Sequence, residues 1–297
     1  MNVPYKIAWE AHKGTPQEWV LERSEDEILF GGARGGGKTD AGLAWLVRPP
    51  YVYHPLYRAL VIRKNADDLF DWTERARIFY RSLGGKVTGK PATIRFPSGA
   101  VIRLGHLKDE NAYGKYIGHE YQKELVEELT QIPRESDFIK LLSTNRSTID
   151  GLPAKGFFTT NPGNIGHAWV KERYVIPATN KTYIDPVSGK SRIFIPSKVT
   201  DNPTLMEKDP SYHGFLMGLK DPVLRAMWLD GSWDVMPGIY WDMWDKSRHV
   251  VQDFNIPPQW LKYRCIDWGI RIINIVVGGR LIILTFITST VSFTLRI

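Results

Sequence analysis

Nine residues, Gly31-Gly32-Ala33-Arg34-Gly35-Gly36-Gly37-Lys38-Thr39, constrain this chain more than any other stretch. From Gly32 to Thr39 they fit G-x-x-x-x-G-K-[ST]. Glu27-Ile28-Leu29-Phe30 before them reads as a short strand, and residues 39–47 after them as a helix. A strand, a glycine-rich loop and a helix in that order form a phosphate cradle. Glycines let the backbone curl until several N–H groups converge on one anion, and the helix N-terminus adds its dipole. In such a cradle Gly32, Gly35, Gly36 and Gly37 would surround the phosphates of a nucleotide. Lys38 would reach the β- and γ-phosphates, and Thr39 would hold Mg²⁺.

The rest of the composition narrows the class. A chain of 297 residues buries one large core or two smaller ones. A net charge of +7 permits a polyanionic partner without identifying one. The single cysteine, Cys265, excludes an intrachain disulfide and a CxxC zinc site, and a reducing compartment is expected. Met1-Asn2-Val3-Pro4-Tyr5-Lys6 has no apolar h-region, so no secretory signal is expected. Residues 270–297 are apolar but broken by Arg271, Arg280 and several Ser and Thr, a strand-like rather than membrane-spanning pattern.

Taken in order, Gln17 begins a short helix after the turn Gly14-Thr15-Pro16. Its amide offers a donor and an acceptor to an adenine edge; the alternative is a residue facing water. Arg48-Pro49-Pro50 stops the helix after the loop, and residues 57–62 read as a second strand, followed by Arg63-Lys64-Asn65. Residues 67–82 read as a helix with Leu69, Trp72, Ala76 and Phe79 on one face, ended by Gly84-Gly85. Residues 92–96 and 100–104 read as a hairpin around Pro97-Ser98-Gly99. A P-loop enzyme needs a second strand ending in an acid for the metal and a nearby acid to activate water. Glu127 is assigned to the metal and Glu128 to the general base, although Lys123-Glu124 interrupts the strand before them. The alternative is a charged helix surface over residues 123–128. His119 has no second histidine at ligand spacing and is a polar loop or edge residue. Residues 156–160 read as a strand ending in Asn161-Pro162-Gly163-Asn164, where Thr160 or Asn161 would sense the γ-phosphate; the alternative is an ordinary Asn-Pro turn. Residues 169–174 read as a helix, 175–200 as a hairpin excursion and 210–228 as mainly helical. Residues 262–269, 272–277 and 281–287 read as strands of a small antiparallel sheet.

The ordered set of motifs resembles the large terminase subunit of tailed bacteriophages. It comprises three glycines before the lysine, Glu127-Glu128-Leu129-Thr130-Gln131, and Thr159-Thr160-Asn161-Pro162-Gly163 followed by Gly166-His167-Ala168-Trp169-Val170-Lys171. Asp201-Asn202-Pro203 and Gly231-Ser232-Trp233-Asp234 complete it, and the resemblance covers residues 17–269. It implies an additional-strand (ASCE-like) P-loop NTPase sheet with flanking helices over residues 1–235. A linker over 236–261 and a fragment of an RNase H-like α/β domain over 262–297 would follow. It implies an ATP- and Mg²⁺-dependent motor that moves double-stranded DNA into a procapsid. Its partners would be a small terminase subunit, a portal protein and further copies in a ring, in the host bacterial cytoplasm and away from membrane. On this resemblance Gln17 contacts adenine, Arg34 and Arg146 are catalytic arginines, Thr160 and Asn161 couple hydrolysis to movement, and Asp267 is a nuclease metal ligand. No Asp or Glu follows Asp267, so a working nuclease is not expected. The alternatives are another nucleic-acid motor, such as a helicase, and an inactive prophage remnant that only binds.

Overall fold

The computed structural model describes residues 9–108, 112–235, 259, 262–268, 273–279, 287–288 and 291–292. The strand that feeds the glycine loop, β1 (Glu27–Gly32), is buried along its whole length inside a nine-stranded sheet. In chain order there follow β2 (Arg58–Arg63), β3 (Lys86–Thr88), β4 (Thr93–Arg95), β5 (Val101–His106), β6 (Lys123–Val126), β7 (Lys155–Thr160), β8 (Tyr183–Ile184) and β9 (Ser191–Ser197). Across the sheet the order is β3-β4-β5-β2-β6-β7-β1-β9-β8. The run β5-β2-β6-β7-β1-β9 pairs in parallel, and antiparallel ladders close both edges. One strand, β7, is inserted between the loop strand β1 and the acid strand β6, as expected of an additional-strand P-loop sheet.

A parallel sheet is covered on both faces, and successive side chains of a strand point to opposite faces. Ile28, Phe30, Phe157, Ile193 and Ile195 therefore pack on one side with Leu43 and Trp45 of α2 (Lys38–Leu46). Leu29, Phe158 and Phe194 pack on the other with Tyr174 and with Phe138 of α4 (Glu135–Leu142). The expected helix over 67–82 is α3 (Leu69–Phe79), with Leu69, Trp72 and Ala76 buried. Gly84 in the left-handed region ends the 3₁₀ turn that follows it.

The acid strand β6 is the instructive case. Lys123 and Glu124, which interrupt its apolar pattern, are both buried in it. The Lys123 ammonium donates to the Trp45 carbonyl and lies 4.4 Å from the Trp45 ring and 4.0 Å from the Tyr51 ring. Such cation–π contacts offset part of the desolvation cost. Glu124 points to the opposite face, where its Oε1 lies 2.5 Å from the Thr144 hydroxyl. That hydroxyl also lies 2.9 Å from the Leu141 carbonyl. The hydroxyl donates to this carboxyl, and the Leu141 carbonyl also accepts from the Thr144 N–H at 2.9 Å.

Other expectations change in detail. The excursion over 175–200 contains β9, which pairs in parallel with β1 and is a core strand. The helix over 169–174 becomes α5 (His167–Val170), a wider π turn (Lys171–Val175) and α6 (Ile176–Ala178), the last containing Pro177, which has no N–H to donate. The helical stretch 210–228 is two helices, α8 (Pro210–Met217) and α9 (Pro222–Trp228), preceded by α7 (Pro203–Lys208). Each begins with an Asx cap and a proline. Asn202 accepts from the Leu205 N–H, Asp209 from Tyr212, and Asp221 from Val223 and Leu224.

The chain divides into two compact units, residues 1–237 and 238–297. In the second, β10 (Lys262–Trp268) pairs antiparallel with β11 (Ile273–Gly279), placing Asp267 opposite Asn274. A shorter pair, β12 (Ile287–Thr288) and β13 (Val291–Ser292), follows. Gly278 and Gly279 extend β11 beyond the expected end at residue 277. The expected strand over 281–287 lies outside the described residues except for Ile287, and so do Pro237-Gly238 and Pro257-Pro258 of the expected linker. The described residues of this unit form two ladders and do not define an RNase H-like domain. Among the described residues no helix is long and apolar enough to cross a membrane.

Burial pushes the Glu124 carboxyl up to about 8. Above the ordinary carboxyl range the unfolded chain has released this proton and the folded chain has not. Stability therefore falls as pH rises from about 4.5 to about 8, by about 1.4 kcal/mol per unit from this group, and levels off above that. Glu124→Gln should flatten that slope in urea unfolding followed at several pH values; an unchanged slope refutes a neutral Glu124.

Candidate active site

The glycine loop, the acid pair and the Asn161 turn all meet at the carboxyl edge of the parallel strands, where α/β sheets bind ligands. The loop, Glu128 and the turn line a cleft of about 670 Å³ with Arg63, Arg75, Gln131, Asn202 and an apolar wall of Leu205, Tyr212, Leu224, Met227 and Trp228. The loop is held tightly. Gly32 has φ +124°, and a Cβ there would lie 2.6 Å from the Ser197 carbonyl oxygen of β9. Gly37, at φ 73°, caps α2, so Lys38 and Thr39 open that helix. The Ala33 N–H donates to Ser197 O at 2.9 Å, and Asn202 Nδ2 donates to Gly35 O at 2.8 Å.

Lys38 is buried and carries its charge between named partners. Its ammonium donates to Ala33 O at 2.6 Å and to Asn161 Oδ1 at 2.9 Å. Burial lowers its pKa, while Glu128 and Glu127 oppose that shift. The other end of the Asn161 amide, Nδ2, donates to both Glu128 oxygens at 3.1 Å. One amide thus links the loop lysine to the second acid of the pair. Glu128 itself has a left-handed backbone at φ 55°, a conformation that turns its side chain out of the strand course.

Glu127 is buried behind Thr39. Its Oε2 lies 3.4 Å from the Thr39 hydroxyl and 3.6 Å from Arg63 of β2. Its Oε1 is buried with no hydrogen-bond partner. Burial pushes this carboxyl up to about 7, against the attraction of Arg63. A carboxylate oxygen without a partner, near the Thr39 hydroxyl, suits a hard, oxygen-seeking cation such as Mg²⁺. Such an ion takes one or two protein ligands and completes its shell with phosphate and water. Among the described residues there is no group of three or more His, Cys, Asp or Glu that could form a closed metal cage.

The turn after β7 is tied to the acid pair by hydroxyls. Thr160 Oγ1 donates to Thr130 Oγ1 at 2.8 Å, Thr130 Oγ1 donates to Asn161 O at 2.7 Å, and Asn164 Nδ2 donates to Thr130 Oγ1 at 3.0 Å. The Gly163 N–H donates to His167 Nδ1 at 3.0 Å, so the ring carries its proton on Nε2, 3.1 Å from the Trp233 carbonyl.

The cleft gathers Arg34, Gly35, Gly36, Gly37, Lys38, Thr39, Glu128 and Asn161. Thr160 lies buried beneath it, acting on Thr130 rather than on the cleft. Gln17 is also buried, with its Nε2 on the Gly37 carbonyl at 2.9 Å, and is not among the lining residues. Arg146 is not brought to the cleft. It follows Asn145, which bridges Tyr121 ahead of β6, and so stands at the amino edge of the sheet, 3.9 Å from Glu120. Asp267 belongs to the second unit, and its side chain is outside the described residues. Sequence reasoning gave no role to Arg63, Thr130, Asn202 or Trp228. The Asx-Pro pair at Asn202 was the available signal for one of them.

Against known proteins, the family model described as terminase large subunit, T4likevirus-type, N-terminal, matches residues 29–243. No curated protein sequence matches the chain. The large terminase of a thermophilic bacteriophage, solved with ADP, aligns at TM-score 0.58 and 20% identity over 89% of this chain and 64% of that one. Its complex with ATP-γ-S aligns at 0.54 and 21% over the same shares. The large terminase ATPase domain of Thermus phage P74-26 aligns at 0.52 and 13%, over 76% of this chain and 94% of that domain. The chain thus spans about 64% of the length of the full large terminases it resembles.

Gly32→Ala should cost about 1–3 kcal/mol of stability through backbone strain and the clash with Ser197. Thermal unfolding measures it, and a wild-type midpoint contradicts the loop geometry.

Proposed function

Through its match over residues 29–243 the chain belongs to the T4-like-virus type of terminase large subunits, by their N-terminal region, and we propose that it hydrolyses ATP to drive double-stranded viral DNA into a procapsid. The observation that carries this reading is the Asn161 amide, which joins Lys38 to Glu128. A phosphate-binding cation and a water-activating base are thereby held at one place. ADP and ATP-γ-S, the ligands of the thermophilic-phage protein, are of the class this cleft suits.

In the proposed mechanism the loop N–H groups and Lys38 hold the phosphates and stabilise charge on the transferring phosphoryl group. Arg34, on the same loop, adds a second positive charge. Glu128 accepts a proton from the attacking water. Thr39 and Glu127 would hold Mg²⁺, which, when bound, supplies a Lewis acid for the phosphate oxygens. Asn161, bonded to both the lysine and the base, is the group best placed to register loss of the γ-phosphate. Gln17 supports the loop through Gly37, and its amide is close to where an adenine would enter beside the cradle. Arg146, at the amino edge, would act only on a neighbouring copy in a ring.

DNA would be held by backbone phosphates without sequence readout, as a translocating motor requires, and the net charge of +7 accords with that. A small terminase subunit, the portal and further copies of this chain are the proposed partners, in the host cytoplasm. Asp267 would be a vestige of an RNase H-like nuclease site. Two-metal cleavage needs several carboxylates, and Asp267 alone does not make such a site.

The test is DNA-stimulated ATP hydrolysis by the purified chain. Lys38→Ala should abolish turnover. Glu128→Gln should retain bound ATP while slowing hydrolysis by about 10²–10⁴-fold. Turnover surviving in both variants refutes the assignment. Binding to duplex DNA, followed by fluorescence anisotropy, should weaken steeply with salt and be indifferent to sequence; a marked sequence preference argues against a motor.

A further inference from the structure

Arg34 is fixed in a way that the phosphate loop alone does not explain. Its guanidinium carbon lies 3.6 Å from the centroid of the Trp228 ring, and its backbone N–H donates to the Trp228 carbonyl at 2.9 Å. Both residues line the cleft. Among the described residues Arg34 forms no ion pair, although it is a permanently charged group. It also stands close enough to Lys38 for its charge to disfavour the lysine ammonium. Two cations on one loop, one of them without a carboxylate, await an anion. The indole supplies what a carboxylate would otherwise supply, a negative face, but without cancelling the charge.

The tryptophan is not part of the loop. It ends α9, a helix capped by Asp221 and anchored by the buried Met227. The loop arginine is therefore oriented by a residue 194 positions later in the chain.

We propose that Trp228 is the positioning residue for Arg34, its indole face holding the guanidinium over the cleft so that the loop presents a second charge to the γ-phosphate only while α9 is in place. This rests on the ATPase reading above. A tryptophan that merely packs α9 through contacts other than the arginine makes different predictions, because its loss would be felt whether or not the arginine is present.

Steady-state ATP hydrolysis by the full chain separates the two. The variants are Arg34→Ala, Trp228→Leu, Trp228→Phe and the Arg34→Ala/Trp228→Leu pair. Trp228→Leu keeps apolar bulk but has no ring face. It should lower kcat about tenfold with KM within about twofold, since the lost contact acts on the transition state. Trp228→Phe should recover most of kcat. In the Arg34→Ala background Trp228→Leu should change kcat no further. The proposal is overturned if Leu leaves kcat unchanged, if Phe is as impaired as Leu, or if Leu lowers kcat by the same factor in both backgrounds. Absence of turnover in the unsubstituted chain, or its persistence in Lys38→Ala, refutes the ATPase reading and this proposal with it. Normal turnover lost in Lys38→Ala, together with additive effects of the pair, refutes this proposal alone.

Discussion

The position of β7 sets the spacing of the whole carboxyl edge. Parallel neighbours stand about 4.8 Å apart, so one inserted strand separates β1 from β6 by about 10 Å. Across that gap the side chains of Lys38 and Glu128 need an intermediary. The residue that follows β7 provides it, because Asn161 emerges between the two and its amide has a carbonyl for one and an NH₂ for the other. An aspartate there would repel Glu128, and an aliphatic residue would leave a buried ammonium short of an acceptor. Chemistry at this edge is thus a consequence of strand order.

The two edges of the sheet treat charge in opposite ways. At the amino edge, Glu27 opens β1 and is surrounded by Arg173 at 2.9 Å, Arg192 at 3.3 Å and the Tyr174 hydroxyl at 2.7 Å. That buried charge is matched and closed to solvent, and serves the fold. At the carboxyl edge, Glu127 keeps one oxygen without a partner and Arg34 has no acid among the described residues. Unmatched polar groups are costly in a folded interior. They persist here on the edge that opens into a cleft.

How far the sequence revealed this depends on the kind of signal. The glycine loop, its strand and its helix were legible because each obeys a local rule of spacing and backbone freedom. The Asn161 turn was legible as a turn, but its link to Lys38 is a contact between residues 123 positions apart and leaves no local mark. The acid strand was obscured because Lys123 and Glu124 lie within it; their burial depends on Trp45, Tyr51 and Thr144, which only the fold brings near. The division of residues 203–228 into three helices was present in the sequence as three Asx-Pro pairs, at Asn202, Asp209 and Asp221. Arg146 looked suitable by its order in the chain, yet order does not say which end of a strand a residue occupies.

The His167 ring accepts from the turn that carries Asn161 and meets, through its opposite nitrogen, the carbonyl of Trp233. An imidazole is flat and stiff, so these bonds act as the two ends of a connecting rod. Protonating Nδ1 would break the bond to Gly163, and burial, which lowers the pKa of this ring, keeps the rod neutral. Its far end is continued by Lys171, which grips Asp234 at 2.7 Å. The turn that carries Asn161 and the segment Trp233-Asp234 therefore share one ring as a common support.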